Sequence, residues 1–531
     1  MKRAYWYGGL AALLLLALAL RLHGIGNPIL DHPGWRQGDT AAIARNFALA
    51  QLNIMYPQTT YNGPPPNYVE LELQIVPFLA ASLYKLFGVH EIFGRLITLG
   101  FSLATVAIVT FFGRWLFGSA IAGLAAGYFY AVFPGSVYYG RTFTPDCAMV
   151  FFLTAALYAA ARTLLDRDKL EWGDVLWTTA LLTLAYLAKP VAMLGVAPLI
   201  ALVWQRNRAG KKTAATQIAI LFVLPVFVFW LYDRRVASYA EWHWASGITR
   251  LHVLPALRAA LTGLSAFTGK LTNFRIALGM LRDTMLGGVA FVLSIAAFAA
   301  LPWVRARSRA FLWAWLGGAL LYVFVVVTVE RVDYYMYPLL PLCALSIGGL
   351  FGRVVELVRG VDAAPTVRYA LLALVALVGA AALGSRASVA AYYDYNAAAY
   401  RNALALNEAL PPDALVVIGH YGPDVQYYLN RFGWEEDPIV WTPFDEQSAI
   451  RKGARYFVSI EDRRLRRNLE LCAWLARFPV VKSGGWRVYQ TSPDRLVPNA
   501  EAFWRAFRTA ERAGRGRTFL DAHNVCTIPS K

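Results

Sequence analysis

Long apolar runs, each closed by a short polar break, recur from the N-terminus to about residue 383. Runs of about 15 to 20 apolar residues with polar punctuation are the pattern of helices that cross a bilayer. The pattern predicts spans at Tyr5–Leu22, Ile92–Phe112, Ser119–Val137, Cys147–Ala161, Trp172–Ala188 and Pro190–Trp204. It continues with Ala214–Tyr232, Leu286–Val304, Ala310–Val329, Tyr335–Phe351 and Tyr369–Leu383, which makes about 11 transmembrane helices. The stretch Val69–Gly88 is apolar enough to join them, but counting it would put Arg206–Lys212 and Arg305–Arg309 on the outer side. It is read instead as an amphipathic helix lying at the outer surface and closed by Gly88. A second surface helix is expected to begin near Asp39, and the Val69–Gly88 helix near Glu70.

After about Gly384 the long runs stop. DALVVIGHYGPDVQYYLNRFGW reads as a strand, a turn and an amphipathic helix, and GARYFVSI and WRVYQ read as further strands. The expected fold class is therefore a polytopic α-helical membrane domain, 1–385, with long outer loops 23–91 and 233–285. It is followed by a soluble α/β domain, 386–531, that ends in a basic, Gly-containing tail from about Asn499.

Composition agrees with that picture: of 531 residues, 58% are hydrophobic and only 16% charged. The net charge of +18 raises nucleic acid as a partner. Many of the Lys and Arg sit in short loops between apolar runs, however, where they set topology, so no nucleic-acid partner is expected. With a cytoplasmic N-terminus, the inner loops hold Lys2 and Arg3, Arg114, Arg162 with Arg167 and Lys169, and Arg206 with Arg208, Lys211 and Lys212. Arg305, Arg307 and Arg309 follow, then Arg353, Arg359 and Arg368, whereas the short outer turns hold only Arg141, Lys189 and Arg331. That asymmetry places the C-terminal domain on the periplasmic or extracellular side. The basic, apolar N-terminus lacks a small-residue cleavage site and reads as an uncleaved anchor. The four cysteines form no metal-binding spacing. Cys472 and Cys526 are either a disulfide or two free thiols.

With this topology the unusual polar residues gather on one face. HPGWRQGDTAAIARNF brings Trp35, Arg36 and Asp39 to the first outer loop, with Asp31 just before it. Glu70 and Glu72 precede the apolar helix, YYGRTFTPD carries Arg141 and Asp146, AYLAKP carries Lys189, and ERVDYYMYPLLP carries Arg331, Asp333, Tyr334 and Tyr335. Each has a purely structural reading. Asp39 fits an N-cap, Asp31 a turn, Asp146 a helix start, Glu70 and Glu72 a helix dipole, Lys189 a snorkelling cation, and the tyrosines an interfacial belt. Together, carboxylates among Arg, Lys and Tyr suit a transferase whose donor is a lipid phosphate-sugar: a carboxylate takes the acceptor's proton and cations hold the departing phosphate.

HPGWRQGDTAAIARNF, a following Glu, KLFGVHEIFGRL, RTFTPD and YLAKP resemble, in pattern and order over roughly the first 350 residues, a known family. It is that of the bacterial dolichyl-phosphate-mannose protein mannosyltransferase-like glycosyltransferases, which share the GT-C fold with the lipid A aminoarabinose transferases. The resemblance implies an inverting glycosyltransferase of the bacterial inner membrane, working at the outer face with a polyprenyl-phosphate-linked sugar. The acceptor would be a protein, lipid A or a glycan. It implies Asp39 as catalytic base, with Asp31 as the other candidate because Thr40 stands where an adjacent acid is usual. Lys189, with Arg141, Arg331 or Arg36, would bind the donor phosphate. Glu72 or Glu70, Asp146, Trp35, Tyr334 and Tyr335 would line the substrate site. No cofactor is expected, a divalent cation shared by Glu72 and Asp146 being the less favoured alternative. A glycan ligase or polymerase, or a transporter or flippase for a lipid-linked substrate, is the competing function. The absence of an internal repeat weighs against the transporter.

Overall fold

The structure, a computed structural model, describes residues 3–211, 213–359, 364–483 and 485–527. Two compact units make up the chain: Met1–Gly26 with Glu70–Tyr393, and Asn27–Val69 with Asp394–Lys531.

The first unit is helical. Among the described residues, six helices are long and apolar enough to cross a membrane: Arg3–Arg21, Glu91–Phe117, Asp146–Asp166, Ala215–Ala237, Arg309–Glu330 and Asp333–Val358. A bent pair, Leu264–Leu286 and Gly288–Trp303, meeting at 112°, makes a seventh if counted as one span. The expectation of about 11 transmembrane helices is thus corrected to six or seven among the described residues, and proline and glycine explain most of the difference. Ser119–Val137 forms a 13-residue helix, Ala120–Val132, that breaks before Pro134. Such a helix is about 20 Å long, short of the roughly 30 Å hydrocarbon core. Trp172–Ala188 has 17 residues. Pro190 then opens a 3-10 turn, which leaves only the 13 residues Val196–Arg208. Gly287, at φ +77°, separates the arms of the bent pair. The expected span Tyr369–Leu383 falls on the helix Ala364–Ala387, where several side chains lie outside the described residues.

The Val69–Gly88 stretch yields a helix over Ile75–Phe87, too short to span and closed by Gly88 at φ +85°. Glu70 and Glu72 lie before its first turn, so neither serves its dipole. The core of this unit is aromatic and small-residue packing, with Phe112, Phe129, Tyr130, Trp315 and Tyr337 fully buried. Helices approach closely where side chains are absent: a Cβ on Gly348 would lie 2.5 Å from the Ala122 carbonyl oxygen. Buried Arg21 is satisfied by Ser102 Oγ, Ser136 Oγ and the carbonyls of Ala17 and Ala131.

The second unit holds a five-stranded sheet in the order Gly433–Glu436, Leu415–Gly419, Ala454–Ser459, Trp486–Tyr489, Val480–Ser483. The first three strands are parallel, and the last two join antiparallel. Residues 500–522, expected as a tail, form helices Ala500–Arg512 and Gly516–Ala522, whose Phe507 and Leu520 are buried. Cys472 and Cys526 are joined as a disulfide in this core.

The helix that carries HPGWRQGDTAAIARNF also belongs to the second unit. It spans Gly34–Leu49, and every residue from Arg36 to Ala48 is buried, which corrects the surface-helix expectation. Its Gly38 faces the helix Pro423–Leu429 so closely that a Cβ would lie 2.5 Å from the Asp424 backbone. Arg45 caps the contact, lying over the Tyr427 ring at 4.4 Å and donating to the Tyr427 carbonyl at 2.7 Å.

Candidate functional site

The candidate residues form two sets, one in each unit. In the first unit, Lys189 follows the last residue of the helix Trp172–Ala188. Pro190 biases Lys189 to an extended conformation, observed at φ −168°, ψ 126°. Asp146 opens the helix Asp146–Asp166. The cap position is Pro145, with no side-chain capping bond, so Asp146 is not spent on the helix end. Instead Lys189 Nζ lies 2.6 Å from Asp146 Oδ1, and both side chains are buried. Burial of Lys189 replaces the snorkelling reading. The ammonium also sits over the rings of Tyr334 (5.0 Å) and Tyr335 (4.6 Å). Asp146 Oδ2 is buried without a hydrogen-bond partner among the described residues. A buried ion pair with one oxygen left over is poised to rearrange when a charged ligand arrives.

Lys189, Glu72 and Tyr335 stand on the wall of a cavity of ≈ 580 Å³ whose other walls include Val196, Ile200, Leu321 and Val325. One cation, one carboxylate and two phenols, Tyr322 and Tyr335, thus meet a largely apolar chamber. Tyr322 donates to the Tyr335 carbonyl at 2.9 Å and holds that segment in place.

Glu70 does not line this cavity. Its carboxylate accepts from Ser246 N and Oγ at 3.1 Å, and its carbonyl accepts from Trp244 N at 3.1 Å. Burial, then a hydrogen bond with Asp233, pushes the Glu70 carboxyl up to about 8. Glu70 therefore anchors the segment whose Ala245, Ile248 and Thr249 form part of the cavity wall. Arg141 is a strut as well: it donates to the Gly24 carbonyl at 2.8 Å and lies between the Tyr138 and Tyr393 rings. Arg331 is exposed, at φ +49°, and does not line the cavity. Asp333 is gripped by Tyr139 (2.7 Å) and Tyr392 (2.5 Å). Neither Tyr139, within YYGRTFTPD, nor Tyr392 was among the residues that the sequence singled out.

In the second unit, Asp39 lies in the second turn of its helix, which excludes the N-cap reading. Its Oδ2 accepts from Arg36 Nη1 at 2.8 Å and its Oδ1 from the Tyr61 hydroxyl at 2.8 Å. Burial and the neighbouring Asp39 charge push the Tyr61 hydroxyl well above its ordinary range, so it remains a donor. Tyr61, absent from the sequence-based candidates, is thus a direct partner of Asp39, and Trp35 lies 6.1 Å from its ring. Asp31 is tied locally: Gln37 donates to its Oδ1 at 2.7 Å and to its carbonyl at 3.0 Å.

Asp146 and Lys189 lie at helix ends rather than midway along a span, which disfavours a transport pathway through them. The pattern of dolichyl-phosphate-mannose-protein mannosyltransferases matches residues 74–232, the segment that carries both residues. No curated protein matches the sequence. Among solved structures, the fold is similar to ArnT from Cupriavidus metallidurans bound to undecaprenyl phosphate, with TM-score 0.59 and 13% identity over 92% of this chain and 99% of that one. Apo ArnT from the same organism gives 0.58 and 15% over 93% and 99%. The archaeal oligosaccharyltransferase AglB from Archaeoglobus fulgidus, in complex with an inhibitory peptide and a dolichol-phosphate, gives 0.57 and 12% over 94% and 75%. The segment that holds the buried ion pair thus matches the pattern of the dolichyl-phosphate-mannose-protein mannosyltransferases, and it is set in a fold similar to that of these solved structures over nine-tenths of the chain.

Proposed function

We propose that the chain transfers a sugar from a polyprenyl-phosphate carrier to an acceptor hydroxyl, with inversion, at the outer face of a bacterial inner membrane. The observation that carries this reading is the cavity in which buried Lys189 meets an apolar chamber. A lipid phosphate needs a cation for its head and apolar walls for its first isoprene units. Lys189 would exchange its contact with Asp146 for the phosphate, and Tyr334 and Tyr335 would keep the ammonium positioned. In transfer the acceptor oxygen bonds to the anomeric carbon, the bond from that carbon to the phosphate oxygen breaks, and the lipid phosphate leaves with both electrons. Asp39 takes the acceptor's proton, with Asp31 the second candidate; Arg36 pairs with Asp39 and Tyr61 orients it. This scheme uses no cofactor, a divalent cation shared by Glu72 and Asp146 being the less favoured alternative.

The outer-side placement is supported by the disulfide Cys472–Cys526, which suits an oxidising compartment. The basic residues Arg162, Arg167 and Lys169 also lie at the end of the Asp146–Asp166 helix opposite to Asp146.

Mass spectrometry of lipid co-purified with the protein tests the donor. A polyprenyl phosphate is expected with the wild type, and at least tenfold less with Lys189→Ala at equal protein yield. Equal amounts in the two proteins would remove Lys189 from the phosphate site.

A further inference from the structure

The helix Asp146–Asp166 carries a second groove at its other end. Phe151, Ala155, Tyr158, Arg162 and Asp166 follow one another at helical spacing along one wall. Asp174, Trp177 and Leu181 on the helix Trp172–Ala188 form the facing wall, and Ile108 closes the apolar end. The enclosed volume is ≈ 380 Å³. From Phe151 to Asp166 the wall runs about 22 Å along the helix axis, apolar at its middle and charged at its mouth. That gradient is the profile of one phospholipid standing along the bilayer normal.

The mouth holds two charges of each sign. Asp166 is already matched, accepting from Trp115 Nε1 at 2.7 Å and Arg307 Nη1 at 2.9 Å. Arg162 reaches Asp166 only at 3.8 Å, and its side chain is 59% exposed. Arg167 lies 3.3 Å from Asp174 and 4.0 Å from Glu171. Exposed pairs of this kind contribute little and open readily for a better partner. The loop beneath them is fixed, because buried Arg206 donates to the carbonyls of Leu164, Arg167 and Asp168.

We infer that this groove is a binding site for a zwitterionic phospholipid with a primary-ammonium headgroup, distinct from the donor cavity. Arg162 takes the phosphate, Asp174 takes the ammonium and releases Arg167 toward the phosphate, and one acyl chain lies against Phe151, Ala155 and Ile108. A lining of balanced charge favours such a headgroup over an anionic one, which would meet two carboxylates.

The test is native mass spectrometry of the full chain, delipidated and titrated with dioleoyl-phosphatidylethanolamine or dioleoyl-phosphatidylglycerol. One phosphatidylethanolamine per chain is expected to persist at collision energies that strip other lipid, with at least fivefold preference over phosphatidylglycerol. Arg162→Ala with Asp174→Asn should abolish that preference. Ala159→Phe, which fills the groove floor and leaves every charge in place, should remove the retained lipid altogether. Equal retention of the two lipids, or retention unchanged in Ala159→Phe, would identify ordinary annular lipid and overturn the assignment. If the charge variant fails to fold, Ala159→Phe alone decides.

Discussion

Asp39 is the residue on which the chemistry is proposed to turn, and its surroundings suit a base that must be both charged and aimed. Arg36 at 2.8 Å supplies a charged partner on one oxygen, and Tyr61 at 2.8 Å fixes the carboxylate plane from the other. Asp39→Asn keeps the shape and both neighbours but cannot accept a proton. Transfer is expected to fall about 10²- to 10⁴-fold, with co-purified donor lipid and thermal midpoint unchanged, in an assay run with EDTA throughout. Activity within a few-fold of wild type would move the base to Asp31, to be checked by Asp31→Asn. The polar candidates of the first unit divide by their contacts: Lys189 and Glu72 face a cavity, whereas Glu70 and Arg141 hold chain segments together. The sequence listed all four alike, because an ionisable residue at a span end has the same composition signal whether it binds ligand or backbone.

At the scale of elements, the six helices long and apolar enough to cross a membrane were each legible as an apolar run, since in lipid a helix is how a single segment satisfies its own backbone. The overcount arose where Pro134, Pro190 and Gly287 cut apolar runs into pieces too short to cross alone. The helix Gly34–Leu49 was read as lying on a lipid surface, yet it is buried against Pro423–Leu429. The spacing Gly34-xxx-Gly38 was the available sign of that close packing. Gly38→Ala places a methyl against the Asp424 backbone, and overpacking of this kind costs about 1–3 kcal/mol. A lowered midpoint in differential scanning calorimetry is expected, with Arg45 losing its seat over Tyr427. An unchanged midpoint would mean that the two helices separate without cost. Strands Leu415–Gly419 and Ala454–Ser459 were read correctly from their β-branched and aromatic residues, whereas GWEE at Gly433–Glu436 was missed because it pairs one aromatic with a glycine and two carboxylates.

For the molecule as a whole, pH should act most strongly through the second unit. Burial pushes the carboxyls of Glu435 and Glu446 up to about 8. Burial alone would lower the His420 imidazole, but hydrogen bonds and charges from Asp424 and Glu461 hold it up at about 10. For all three the folded state binds its proton more tightly than the unfolded chain. Their contribution is therefore complete below the unfolded carboxyl value of roughly 4.5. It declines from there to about 8 for the two acids, and between roughly 6.5 and about 10 for His420. A thermal midpoint about 5 °C or more lower at pH 9 than at pH 6 is expected, monitored by tryptophan fluorescence. Glu446→Gln should flatten the lower part of the profile. A midpoint that rises over this range would contradict the assignment.

Hydrophobic periodicity and loop charge, both local properties, by themselves determined a multi-span helical chain with a terminal α/β part, and motif order pointed to the family whose pattern matches residues 74–232. Which acids keep company was decided only by tertiary structure. Asp146 and Lys189 are 43 positions apart and Asp39 and Tyr61 are 22 apart, and no spacing rule links residues on different elements. Folding also decided which buried charges are satisfied by backbone and which face an open cavity, because burial is a property of the surrounding chain rather than of the residue itself.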